Sequence, residues 1–131
     1  MPQVSRIKLD KKAEKQLIDT LELIFSKVSK KDEMNSFLSS LLTPTEKLML
    51  AKRIAVVVLL NEGLNDSQIA SSLNITRITV SKMRYFIEAR GDGYKIVHKV
   101  LRNENLLKEF KNVLVKLVNY TVRASAGYVK P

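Results

Sequence analysis

Seven consecutive apolar residues, Ile54-Ala55-Val56-Val57-Val58-Leu59-Leu60, lie in the middle of a segment bracketed by Thr43-Pro44-Thr45-Glu46 and by Gly63. The opening tetrapeptide has the pattern of a capping box with proline at the first helical position. The Thr43 hydroxyl can accept from the Glu46 amide, and the Glu46 carboxylate can reach back to the Thr43 amide. Such a cap contributes roughly 1 kcal/mol. Gly63 suits the left-handed turn that ends a helix. The spacing predicts a helix that starts at Pro44, runs through Lys47 to Glu62 and is apolar all round in its middle. A helix without a polar face has to be buried on every side. In a chain of 131 residues, that burial can require a second subunit.

The rest of the chain reads as helical too, because no run alternates with a period of two. A first helix is expected from about Leu9 to Val28, with Leu17, Ile18, Leu21, Ile24, Phe25 and Val28 as one apolar stripe. A second, about Asp32 to Leu41, presents Met34, Phe37, Leu38 and Leu41. Gly91-Asp92-Gly93 predicts a tight turn. A short helix follows from Tyr94 to Arg102, with Ile96, Val97, Val100 and Leu101 inward. Asn103 is the expected cap of a last helix, about Glu104 to Val122, with apolar positions from Leu106 to Val118 at helical spacing. The segment Ala124–Pro131 is expected to fray. The fold class is therefore all-α, in a single helical domain over 1–131.

Between these helices, Asp66–Tyr85 reads DSQIASSLNITRITVSKMRY. Ile69, Ala70, Leu73, Ile75, Val80 and Met83 occupy apolar positions that fit two short helices crossing on a small core, a helix-turn-helix. Asp66 can cap the first helix and Thr76 the second. Ala70 is small where the helices approach. Asn74 sits at the turn, where a residue tolerant of positive φ is needed. On the second helix Arg77, Ile78, Ser81, Lys82, Arg84 and Tyr85 point outward, with Thr79 nearer the flank. Residues at the N-terminal end of such a helix reach base edges of a DNA groove. Arg77 or Lys82 could donate to guanine, and Ile78 or the Thr76 methyl could touch a thymine methyl. Ser67, Gln68 and Arg84 suit phosphates, which fix register without reading sequence. The bland reading is a structural helical hairpin used for protein contact.

Charge is compatible with the first reading but does not select it. The formal net charge is +10. Residues 76–131 hold 12 basic and 4 acidic groups, whereas 1–42 hold 8 and 6 and 43–75 hold 3 and 3. A field of this kind concentrates a polyanion, although a solvated lysine-rich surface would give the same counts.

Other chemistries lack their residues. There is no cysteine, which excludes a disulfide scaffold and thiolate metal sites. His98, the single histidine, is expected at the surface or boundary of its helix rather than as a ligand or base. No cluster of metal ligands is apparent, the serines and Thr43 have no histidine base near them, and Gly91-Asp92-Gly93 lacks the spacing of a phosphate loop. Arg90-Gly91-Asp92 matches an adhesion tripeptide by chance. No enzyme and no cofactor is expected. The N-terminus has no signal-like apolar run and no apolar run approaches the ~20 residues of a membrane span, so a cytoplasmic location without membrane contact is expected. A helical module that docks on the transcription machinery, or an RNA-binding protein, stays open beside DNA binding.

The stretch Phe37-Leu38-Ser39-Ser40-Leu41-Leu42-Thr43-Pro44-Thr45-Glu46, followed by Ala51-Lys52-Arg53-Ile54, Glu62-Gly63 and the motif, resembles the tryptophan repressor superfamily over about residues 34–90. Gly91-Asp92-Gly93-Tyr94 is more like its tryptophan-repressor-like branch than the amino-acid-sensing repressor. The resemblance implies an intertwined homodimer on double-stranded DNA, with motifs reading half-sites about one turn, ~34 Å, apart. It also implies a corepressor pocket at Thr43, Arg53, Lys82 and Met83, which here looks vestigial. Lys82 stands where the family has an arginine whose planar guanidinium stacks on the ligand ring, and Met83 stands where it has a glycine. A small-molecule corepressor is admissible, but tryptophan is not expected.

Overall fold

The computed structural model describes the backbone of residues 9–125 and the side chains of residues 9–119. Among the described residues there are seven helices and no strand: α1 (Lys11–Lys27), α2 (Lys31–Leu41), α3 (Pro44–Asn61), α4 (Asp66–Leu73), α5 (Arg77–Arg90), α6 (Asp92–Asn103) and α7 (Leu107–Ser125). None is long and apolar enough to cross a membrane. The chain divides at Pro44 into two compact units.

The first unit holds α1 and α2. Phe25 and Phe37 meet edge to face with ring centroids 5.1 Å apart, a favoured aromatic geometry. Neither helix buries a residue. The stripe expected on α1 is present at helical spacing, yet Leu17 is 60% exposed and Ile24 42%. The 3.6-residue period fixed the helix, but the surface that would cover its apolar face is not supplied here.

The second unit is built around the middle of α3. Five consecutive residues, Ala55–Leu59, are buried, and at 100° per residue five positions go round the helix. Around them pack Ile69, Ala70 and Leu73 of α4, Val80 of α5 and Leu114 of α7, with Leu64, Ile75, Met83, Leu101, Phe110 and Val118 partly buried against the cluster. Burial of each large aliphatic side chain stabilises the fold by about 1.5–3 kcal/mol. The first half of α3 differs: Leu48, Met49 and Leu50 are exposed, so all-round burial is confined to the central turns.

The joints explain where the helices stop. Gly63 has φ +83°, and the Leu64 amide donates to the Leu59 carbonyl at 3.3 Å, closing α3 in a Schellman-type turn. One residue, Gly91, joins α5 to α6. A Cβ there would lie 2.2 Å from the Ile87 carbonyl oxygen, so no other residue fits without moving the backbone. Asp92 and Gly93, expected in a turn, instead form the first turn of α6. Asn103 ends α6 rather than capping the last helix. The true reversal is at Asn105, with φ 55°, and α7 starts only at Leu107. On α6, Leu101 packs on the core, but Ile96 and Val100, expected inward, are 60% and 51% exposed. Helix α7 runs through Ala124 and Ser125, and the remainder of the expected frayed tail, 126–131, lies outside the described residues.

Candidate nucleic-acid interface

The interface is set by the turn between α4 and α5. Asn65, not Asp66, caps α4. Its side chain accepts from the Gln68 amide at 2.9 Å while Gln68 Oε1 accepts from the Asn65 amide at 3.1 Å, a complete capping box. Asp66 is thereby the first helical residue, and its carboxylate is released from capping. Asn74 adopts the left-handed conformation (φ 53°, ψ 52°), as its position at the turn required. Thr76 caps α5 by accepting from the Thr79 amide at 3.1 Å, and the two threonine hydroxyls are hydrogen-bonded at 2.8 Å.

Val80 is fully buried and Met83 packs against the same core, so these two side chains fasten α5 from beneath. The opposite face is solvent-exposed at Arg77, Ile78, Thr79, Ser81, Lys82 and Tyr85, as are Thr76 before it and Ser67 and Gln68 on α4. Ile78 is 69% exposed and Tyr85 68%. Tyr85 sits edge to face with Phe86, with centroids 6.0 Å apart, and the Arg90 guanidinium lies 6.0 Å from the Phe86 centroid. Exposed aromatic and aliphatic side chains beside cations form a surface able to touch both bases and phosphates.

Two of the expected outward residues are engaged internally. Ser81 Oγ donates to Asp66 Oδ2 at 2.9 Å, and Arg84 Nη2 donates to Asp66 Oδ1. The Ser81 hydrogen bond is the chief cause that holds the Asp66 carboxyl below its usual range. The Arg84 hydrogen bond adds to it, partial burial opposes it, and the charges of Arg84 and Arg77 contribute further. A group with a depressed folded-state pKa contributes stability above its unfolded value, and that contribution disappears as pH falls through the folded value. Sequence reasoning missed this three-way contact. Its signal was an acidic residue opening α4, facing a hydroxyl and a guanidinium three residues apart on α5.

Of the residues that the family resemblance placed in a ligand pocket, Arg53 is half-buried on α3, Lys82 is exposed and Met83 is partly buried against the core; Thr43 is exposed and belongs to the first unit. His98 Nε2 is hydrogen-bonded to the Asn61 amide group at 2.6 Å, tying α6 to the end of α3. No group of three or more metal-ligating side chains occurs among the described residues.

No curated protein and no solved structure matches the chain. The family model described as Trp repressor protein matches residues 15–112. That span contains the all-round apolar helix, the complete motif and the start of α7. The chain belongs to the Trp repressor family, a family of DNA-binding helix-turn-helix regulators.

Proposed function

We propose that this protein is a sequence-specific transcriptional regulator of the repressor type, acting as a homodimer on a two-fold-related operator and independent of tryptophan. The observation that carries the reading is the two-sidedness of α5. Val80 and Met83 hold it to the core, while Arg77, Ile78 and Lys82 stand exposed on its first turns. In this reading Arg77 and Lys82 donate to base edges or the phosphates beside them, Ile78 and the Thr76 methyl meet thymine methyls, and Thr79 and Tyr85 line the flank. Ser67 and Gln68 set register on the phosphates.

The dimer draws support from apolar surface that one chain leaves uncovered. No residue of α1 or α2 is fully buried, and Leu48, Met49 and Leu50 of α3 are exposed. A second copy would cover these faces and set two motifs about a two-fold axis. Independence from tryptophan draws support from Met83, which packs on the core from a position where the resemblance implies glycine, and from Lys82, which cannot stack as an arginine does.

Selection of bound duplexes from a random pool, with and without L-tryptophan, tests both statements. The expected result is enrichment of the same two-fold-related half-sites in both arms. An unenriched pool overturns the DNA reading, and enrichment only with tryptophan overturns the effector reading.

A further inference from the structure

Asp66 accepts from two side chains of the neighbouring helix at once. Ser81 and Arg84 lie three residues apart and so project from one face of α5. One carboxylate oxygen takes the serine hydroxyl and the other takes the guanidinium. Asn65 has already capped α4, so nothing local competes for the carboxylate. Its place in the first turn of α4 also suits a negative charge. The Arg84 side chain is half-sunk, and its Nε is buried without a hydrogen-bond partner. The guanidinium therefore has its Nε edge against the protein, while the side chain as a whole stays part-exposed.

We propose that Asp66 is a positioning residue for the recognition helix: it latches Ser81 and Arg84 so that they fix the crossing of α4 and α5 and do not contact nucleic acid. This rests on the DNA reading above and deepens it. Swinging Arg84 to a phosphate would leave the Asp66 carboxylate without its cation, held by Ser81 alone, beside a polyanion, which is unfavourable twice over. The latch therefore stays closed in the complex, and α5 approaches DNA with Arg77 and Lys82 as its working cations. It also limits indiscriminate affinity, because a cation that could grip any phosphate is held back.

The test uses the full chain and the variants Arg84→Ala and Asp66→Asn. Retention on a selected duplex and on a scrambled one is measured across salt, and thermal unfolding is measured for both variants and their combination. With the latch closed in the complex, Arg84→Ala weakens specific binding about tenfold by loosening α5, yet leaves the log–log salt slope unchanged. Asp66→Asn frees Arg84. It is expected to strengthen scrambled-duplex binding and steepen the slope by about 0.9 per motif, narrowing the ratio of specific to scrambled affinity. The two substitutions are expected to couple about threefold in the unfolding equilibrium, a modest value because the pair is part-exposed. A slope shallower by about 0.9 per motif in Arg84→Ala would place Arg84 on a phosphate and overturn the latch. So would an Asp66→Asn variant with unchanged slope and ratio, or strictly additive unfolding effects. Wild-type protein retained on neither duplex would instead overturn the DNA reading and with it the positioning role, and the unfolding cycle would still report whether the latch forms.

Discussion

Replacing Arg77 and Lys82 together by alanine is expected to reduce sequence-specific retention to the level of a scrambled duplex. A single base-edge contact contributes about 1–3 kcal/mol, so losing two is expected to weaken specific binding by between about thirtyfold and more than a thousandfold. Both side chains are exposed, so the far-ultraviolet helical signal should be unchanged. That combination separates loss of recognition from loss of fold. If the doubly substituted protein still discriminates its selected duplex, another surface is the reader. The neighbouring aromatic pair Tyr85 and Phe86, with Arg90 beside it, would then be the next surface to vary.

The second large effect is on folding. Val80 is wholly excluded from solvent and shares its core with Val56, Val58, Ile69 and Leu114. Val80→Asp would put a carboxylate there with no cation positioned to meet it. Burying an unpaired charge costs several kcal/mol even after relaxation, comparable with the whole stability of a domain this size. The expected result is loss of cooperative thermal unfolding, followed by circular dichroism. Val80→Ala, which only opens a small cavity, is expected to lower stability by about 1–3 kcal/mol and keep a cooperative transition. An Asp variant that melts like wild type would mean that Val80 does not fasten α5 to the core.

How far the sequence can be read depends on whether the physical cause is local. The left-handed Asn74, the Thr76 cap and the buried Val80 follow from residue types at short spacing, and the structure has all three. The central helix was legible for the same reason, since five buried residues in a row need no long-range information. Misreadings arose where two neighbours could do one job. Asn65 and Asp66 can both cap α4, and Gln68, three residues after Asn65, was the overlooked sign of a capping box. Asn103 and Asn105 compete in the same way before α7, and the residue with positive φ is Asn105. The apolar stripe of α1 reveals its helix but not what covers it, because the covering surface is not encoded within a few residues. Ile96 and Val100 of α6 fail for a related reason: their period is helical, but the core lies on the side of Leu101. The Asp66–Ser81–Arg84 contact depends on the crossing of two helices, so no single helix pattern contains it.

The central claim is that the outward face of α5, with its cations, is pressed against a phosphate backbone. The salt dependence of wild-type retention on duplex DNA tests this most directly, because each neutralised phosphate adds about 0.9 to the slope of log affinity against log salt. A linear fall with a slope of several units is predicted, whereas an affinity indifferent to salt would contradict the account.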